Sequence, residues 1–327
     1  MVNKKSDKKI WTKCYIRTAR SIERLGVKLN KKVNSENAIT ISGSPRTGTT
    51  WLMNILSQIK NYKTVFEPLH PTRFSVITDL NLPPRLFIPI ETDNIKLQEH
   101  LNNVFTGQIV SEDPEYSLKY NEIKKRLKYD KILVKFINSN RLLPWIFYRY
   151  KTRANFLIIR HPCASINSQI KSGWIGYPLN LELGFRKGDI NHVRKIIIEE
   201  MKIIPELQNN VHLKNKIQNL SSMKQLLAVE WSLDYYIPFS YCKNYDFHLI
   251  LYEHLLKERE ETLKDIFQRV NYPIPENIVN VTSKPSLTSD ETNIDINRQL
   301  NKWKENITKQ EADKIMKVVS WFDIDYY

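Results

Sequence analysis

Apolar residues recur along this chain in short continuous runs, each ended by a polar break and followed by apolar positions three and four apart. Ile39 to Ile41, Thr64 to Phe66, Lys131 to Ile137, Asn155 to Ile159 and Phe247 to Tyr252 are such runs. Short apolar runs with polar boundaries predict strands buried on both faces, the habit of a parallel sheet. Between them the spacing turns helical. Trp51, Leu52, Ile55, Leu56 and Ile59 share one stripe, Leu142 to Tyr150 forms a second helical stretch, and Ala164 to Ile170 a third. Residues 190–240 are mostly helical, and another helix lies around Leu255 to Val270. Thr308 and Glu311 form a capping box that opens a last helix, with Ile315, Val318, Val319 and Phe322 turned inward. Strands alternating with helices predict an α/β fold of three layers, a central, mostly parallel sheet flanked by helices, with right-handed βαβ crossovers.

The break after the first strand carries the densest chemistry. Gly43, Ser44, Pro45, Arg46, Thr47 and Gly48 do not continue a strand, and a helix follows at once. A strand–loop–helix turn of this kind aims backbone N–H groups and the positive end of a helix at one spot, which is an anion site. Gly43 and Gly48 nearly match the P-loop pattern G-x-x-x-x-G-K-S/T, but Thr49 stands at the lysine position, followed by Thr50. Arg46 can bring positive charge from inside the loop instead. A second anion position follows the strand that ends at Ile159. Ligands in open α/β sheets sit at the carboxyl ends of strands. Arg160 is at such an end, and Ser168, eight residues on, is about two helical turns away and can face the same place.

The run P-R-T-G-T-T-W-L from Pro45 to Leu52 resembles the 5′-phosphosulfate loop of sulfotransferases that use 3′-phosphoadenosine 5′-phosphosulfate (PAPS). These enzymes are P-loop, nucleotide-kinase-like in fold. The run from Arg160 to Gln169 resembles their 3′-phosphate motif, although the family usually has Asp where this chain has His161. The resemblance spans about residues 38–322. It implies PAPS as donor co-substrate, PAP as product, and no metal. It implies that Ser44, Arg46, Thr47, Gly48, Thr49 and Thr50 cradle the 5′ end and that Arg160 and Ser168 hold the 3′-phosphate. Arg46 and Lys135 are then the cations for the leaving oxygen. Trp51 is placed to stack on adenine, or else turns inward in the first helical turn. In this family a late loop often closes over the 3′-phosphate; Ser283 to Ser289 looks like such a loop and brings Ser286 to the nucleotide, the other reading being plain surface.

The resemblance also bears on the base. Small-molecule members have a His two positions beyond the strand Lys, and here that position is Ile137. Carbohydrate-type and many bacterial members instead carry Glu in F-E-P, and Phe66-Glu67-Pro68 looks like that class. Glu67 is then the general base for an acceptor hydroxyl, best if its pKa is raised towards working pH. His70 and His161 stand in reserve. The competing reading is that Glu67 pairs with Arg46 or another cation and only holds the loop. The expected reaction is in-line sulfuryl transfer to a hydroxyl of a carbohydrate, in which positioning and charge neutralisation dominate.

Composition adds less. The chain has 327 residues, enough for a full core, with 41% hydrophobic and 26% charged residues, which are globular values. Its net charge of +15 favours anionic partners: nucleic acid, anionic membrane, or anionic small molecules and glycans. An anionic glycan acceptor suits this charge; no nucleic acid is expected, because no nucleic-acid motif is present. The three Cys, at 14, 163 and 242, form no disulfide framework, and the seven His show no metal spacing. Neither a signal-peptide apolar stretch nor a run of 18 apolar residues stands out, so the cytoplasm is the expected compartment. Residues 1–37 read as a basic helical leader with Ile10, Trp11, Cys14, Tyr15, Thr18, Ala19, Ile22 and Leu25 on one stripe. That stripe packs on its own domain or makes peripheral contact with an anionic membrane. Residues 38–327 read as a single sulfotransferase domain with a substrate-facing insertion around 71–128; loops in 71–128 and 172–225 are expected to build the acceptor pocket. Two other classes stay open. A P-loop ATP-dependent kinase needs Lys at Thr49 and an Asp in a Walker B-like strand. A non-catalytic basic protein that binds glycan or nucleic acid has no need of two phosphate motifs.

Overall fold

Five strands form one parallel sheet in the computed structural model of the chain, which describes residues 4–30, 33–71, 73–80, 85–111, 123–173, 189–241, 245–282 and 295–327, with side chains from residue 17 onward. The strands are β1 (Ile39–Gly43), β2 (Tyr62–Phe66), β3 (Lys131–Lys135), β4 (Ala154–Ile159) and β5 (His248–Leu251), in the order β2-β3-β1-β4-β5. The helices used below are α1 (Lys4–Leu29), α2 (Thr49–Leu56), α3 (Ile95–Phe105), α4 (Ile123–Leu127), α5 (Leu143–Arg149), α6 (Pro162–Lys171), α7 (Ile190–Ile203), α8 (Met223–Tyr241), α9 (Tyr252–Lys257), α10 (Arg259–Val270) and α11 (Lys309–Val319).

Alternation along each strand sends side chains to two separate cores. Ile39, Ile41, Phe156 and Ile158 face one side with Leu52, Ile55 and Leu56 of α2 and Ile266, Phe267 and Val270 of α10. Ile132, Val134, Leu157 and Ile159 face the other with α3, α5, α7, α8 and α11. Both faces of β1, β2 and β3 are covered, so the strands are mostly apolar, and the polar residues they do hold, such as Thr40, Ser42, Lys63 and Thr64, are buried as well. The capping box at Thr308 and Glu311 is present, and Ile315, Val318, Val319 and Phe322 are all buried. Several boundaries differ from the sequence expectation: β2 starts at Tyr62, β3 stops at Lys135 and not Ile137, and β5 stops at Leu251, so that Tyr252 opens a helix.

The carboxyl ends line up at one edge of the sheet. Gly43 is level with Ile158 of β4, and Phe66 and Ile41 are both level with Lys135 of β3. Strand progression reverses across β1, so its end is the topological switch point, where open α/β sheets bind ligands.

Helix α1 packs on α4. Gly26 allows the contact, since a Cβ there would lie 1.8 Å from the carbonyl oxygen of Arg126. Glu23 is buried, accepts from the Ser111 N–H (3.1 Å) and pairs with Arg126 (3.4 Å). In the 71–128 stretch, α3 buries Leu97, Leu101, Val104 and Phe105 completely, so this stretch builds core as well as surface. Among the described residues, no helix is long and apolar enough to cross a membrane.

Candidate functional site

The loop after β1 folds back on itself because Gly43 has no side chain. A Cβ there would lie 2.5 Å from Thr47 Oγ1 and 2.9 Å from the Ile158 carbonyl oxygen. Three successive carbonyls are tied inward. Thr47 Oγ1 donates to Ser44 O (2.7 Å), Gln169 Nε2 to Pro45 O (3.2 Å) and Arg160 Nη1 to Arg46 O (3.0 Å). Arg46 and Gly48 both take positive φ, 70° and 98°, and α2 then begins at Thr49 without a side-chain cap. With these carbonyls tied up, the Trp51 and Leu52 N–H groups already bonded to the Gly48 carbonyl and no intrahelical acceptor for those of Thr49 and Thr50, the loop has the form of a main-chain anion nest at a helix start. Ser44 has both of its donors engaged: the hydroxyl donates to Asp234 Oδ2 (2.7 Å) and the N–H to the Tyr235 hydroxyl (3.2 Å). Thr47, Thr49 and Thr50 are buried.

The second motif meets this loop. Arg46 Nε donates to Ser168 Oγ (3.0 Å), while Arg160 reaches the Arg46 carbonyl. Arg46, Arg160 and Ser168 are all partly exposed, so a ligand can reach them. His161 stands at the N-cap of α6 and its Nδ1 accepts from the Cys163 N–H (3.2 Å). That is the service an N-cap Asp would perform. Burial pushes the imidazole pKa down, which keeps the ring neutral and able to accept. Its ring stacks on Trp303 with centroids 5.0 Å apart.

Trp51 is 3% exposed and turns into the core between β1 and α2. Tyr252 is the aromatic at the junction of the two motifs. Its ring meets Trp51 edge-on (6.2 Å) and lies 4.5 Å from the Arg160 guanidinium carbon. The same ring covers Gly48, where a Cβ would come within 2.5 Å of it. The sequence placed Tyr252 only as the end of a strand run; the available signal was its position one residue past the carboxyl end of β5. Ser286 lies outside the described residues. Gly48→Ala combines that overlap with an unfavourable φ. It is expected to cost about 1–3 kcal/mol in stability and to weaken nucleotide binding on the order of tenfold. Thermal melts and calorimetry check this, and unaltered affinity would show that the loop does not need glycine there.

Glu67, Lys135 and Arg73 form a buried cluster at the ends of β2 and β3. Lys135 Nζ lies 2.5 Å from Glu67 Oε1, and Arg73 Nη2 lies 3.2 Å from Oε2. Glu67 has φ 51°, and its N–H donates to the Lys135 carbonyl (2.8 Å). The Phe66 ring packs under both cations, 4.2 Å from Lys135 Nζ and 4.7 Å from the Arg73 guanidinium carbon. Burial alone would raise the Glu67 carboxyl, but Lys135 and Arg73 outweigh it and hold the pKa below the usual carboxylate range. A raised carboxyl, favourable for a base, is therefore not what this resting arrangement provides. Lys135 is itself pushed down, first by burial, against the pull of Glu67, with Arg73 and Arg46 adding repulsion. It feels both the carboxylate and the loop.

No protein-family model and no curated protein matches the chain. Several solved structures are similar to it over most of its length. One is a sulfotransferase domain from the curacin biosynthetic pathway, 14% identical, covering 89% of this chain and 98% of that one at a TM-score of 0.48. A second is a sulfotransferase domain from the Synechococcus olefin synthase, with 14% identity, 91% and 98% coverage and a TM-score of 0.46. A third is a mouse sulfotransferase complexed with PAP, with 14% identity, 92% and 89% coverage and a TM-score of 0.38. All three are sulfotransferases. At such low identity and scores, the assignment of an activity falls to the site itself.

Proposed function

We propose that the chain is a sulfotransferase that moves the sulfuryl group of PAPS to a hydroxyl of a carbohydrate. The observation that carries this reading is the meeting of two phosphate-type segments, Gly43–Thr50 and Arg160–Ser168, through Arg46 and its bonds to Ser168 and Arg160. A nucleotide with phosphates at both ends of its adenosine suits such a pair. A nucleoside triphosphate strung along one loop has no use for the second segment, and the loop has no lysine at Thr49.

When bound, PAPS supplies the sulfuryl group and a phosphate leaving group. The residues of this chain supply the rest. The amides from Thr47 to Thr50 and the positive end of α2 hold the 5′-phosphate. Arg160 and Ser168 hold the 3′-phosphate, and Tyr252 borders the adenosine between them. Arg46 and Lys135 neutralise the charge that grows on the leaving oxygen. Glu67 accepts the acceptor's hydroxyl proton as the new S–O bond forms and the bond to the phosphate breaks. Lys135 links the last two events. Drawn towards the developing negative charge, it leaves Glu67 to Arg73 alone, and the carboxylate becomes a better base at the moment it is needed. The Phe66-Glu67-Pro68 sequence supports a carbohydrate acceptor, and the net charge of +15 supports an anionic one.

Calorimetry without Mg²⁺ tests the donor. PAP is expected to bind on the order of tenfold or more tightly than AMP, because about 1.4 kcal/mol from the second phosphate contact already gives that factor. Equal affinities would remove Arg160 and Ser168 as a 3′-phosphate site. Labelled PAPS with a panel of sulfated glycans, neutral glycans and small alcohols tests the acceptor; transfer to small alcohols alone would overturn the carbohydrate assignment.

A further inference from the structure

Helix α8 is the core helix whose one face carries unusual chemistry. Within Leu226 to Tyr235, every residue is buried, yet Glu230, Ser232 and Asp234 are among them. Trp231, Asp234 and Tyr235 are spaced so that they share one face of the helix, and each reaches the main chain or side chain of a phosphate-type segment. Trp231 Nε1 donates to the Arg160 carbonyl (3.2 Å). Asp234 accepts from the Ser44 hydroxyl (2.7 Å) across 190 residues of sequence. The Tyr235 hydroxyl accepts from the Ser44 N–H (3.2 Å) and donates to the Ile158 carbonyl (2.8 Å).

The position of that hydroxyl is informative. The last paired residues of β1 and β4 are Gly43 and Ile158. Immediately beyond them, the Ser44 N–H and the Ile158 C=O are joined through the Tyr235 oxygen. One phenol oxygen replaces the next rung of the ladder. The two strands therefore part at Ser44, and β1 turns into the loop instead of continuing beside β4. Asp234 fixes the same residue from its side-chain end. Its carboxylate is held by Arg141 Nε (3.2 Å) and by Arg85 Nη1. Glu230, one turn earlier, pairs with the same two guanidinium groups, at 3.3 Å from Arg85 Nε and through Arg141 Nη2; Arg141 Nη1 also meets Glu200. The side chains in this network are 1–7% exposed. A carboxylate gripped by two buried guanidinium groups has one orientation, and it transmits that orientation to Ser44.

We propose that Tyr235 and Asp234 are positioning residues for the 5′-phosphate loop: a wedge and an anchor that open β1 from β4 at Ser44 and so set the anion nest without touching the nucleotide. The proposal rests on the reading of that loop as the 5′-phosphate site, and it also makes a claim about the unliganded chain. Removing the Tyr235 oxygen leaves the Ser44 N–H and the Ile158 C=O either unpaired or free to close on each other, and both outcomes displace the start of the loop.

Two measurements on the full chain test it. In the unliganded protein, Tyr235→Phe is expected to speed amide exchange at residues 44–48 tenfold or more, with residues 39–42 and 154–157 unchanged. In calorimetry, the same variant is expected to bind PAP and adenosine 5′-monophosphate fivefold or more weakly, and adenosine 3′-monophosphate within twofold of the original chain. Asp234→Asn keeps the shape and is expected to show the same pattern at smaller amplitude; it carries the test if Tyr235→Phe does not fold. A purely structural role would weaken both monophosphates together or neither. That result, or unchanged exchange at residues 44–48, would overturn the proposal. Faster loop exchange in the variants, with no PAP binding by the original chain, would instead overturn the donor assignment and leave the wedge standing.

Discussion

Glu67→Gln is expected to lower sulfuryl transfer by about 10²–10⁴-fold, the range of a lost general base, while PAP affinity stays within about threefold of the original. The substitution keeps the size of the side chain and removes the charge and the basic oxygen. It also leaves Lys135 and Arg73 facing a neutral amide in a buried place, with a stability cost of about 3–5 kcal/mol. Activity must therefore be normalised to the fraction that binds PAP. A second variant separates the two effects. Combining Glu67→Gln with Lys135→Met relieves the uncompensated ammonium and is expected to recover much of the stability and none of the activity. Full activity in Glu67→Gln would eliminate Glu67 as the base and leave it as a holder of Lys135 and Arg73. Acid provides an independent check. The Glu67 pKa is lower in the folded chain than in the unfolded one. Its contribution to stability is complete above the ordinary carboxylate range and is lost as the pH falls through it towards the folded value. The stability gap between the original chain and Glu67→Gln should accordingly narrow on acidification, as read from denaturant titrations between pH 7 and pH 3. A gap that is constant with pH would mean that the ion pair does not hold the carboxylate as described.

Arg141→Met is the second large effect. Arg141 is 1% exposed and joins Glu200, Glu230 and Asp234 through its three guanidinium nitrogens. Its removal breaks three buried pairs on two helices at once, since Glu200 lies on α7 and both other carboxylates on α8. The expected cost is about 3–5 kcal/mol, a melting temperature lower on the order of 10 °C. Exchanging Arg141 and Glu230 together for Met is expected to cost less than Arg141→Met alone, because an apolar pair replaces a charge pair instead of stranding half of it. A single variant within about 1 kcal/mol of the original chain would show that the surviving groups rearrange freely, and would weaken the case for a rigid anchor at Asp234.

Several parts of this protein are legible in its residues alone. The strands are recognisable because a parallel strand covered on both faces is mostly apolar, and the apolar cores Ile132 to Val134 and Phe156 to Ile159 are of this kind. The last helix is announced by its own cap. The loop from Gly43 to Gly48 is visible because the glycine positions follow local backbone needs: room for Thr47 at one end and a left-handed φ at the other. Arg46, Arg160 and Ser168 could be singled out because strand ends are ligand positions in this class of sheet, and the structure brings them together. Trp51 shows the limit. Its place in the sequence allowed an outward or an inward ring, and packing between β1 and α2 turned it inward. Glu67 shows another. Its position was evident, while the direction of its pKa depended on Lys135 and Arg73. The first is level with Phe66 only through the β2–β3 register.

The residues of this chain by themselves determined the alternation of strands and helices, the place of the glycine-bounded loop after β1 and the identity of the basic groups around it, because each depends on neighbours within one helical turn or one strand. Only the tertiary structure decided the strand order, the pairing of Glu67, the role of Tyr252 beside Gly48, and the network of Arg85, Arg141, Glu200, Glu230 and Asp234 that ends on Ser44. Those features join groups far apart in sequence. Glu230 and Asp234 are buried carboxylates in α8, and burial requires partners for them. Which guanidinium groups would answer is a property of how the helices pack on the sheet.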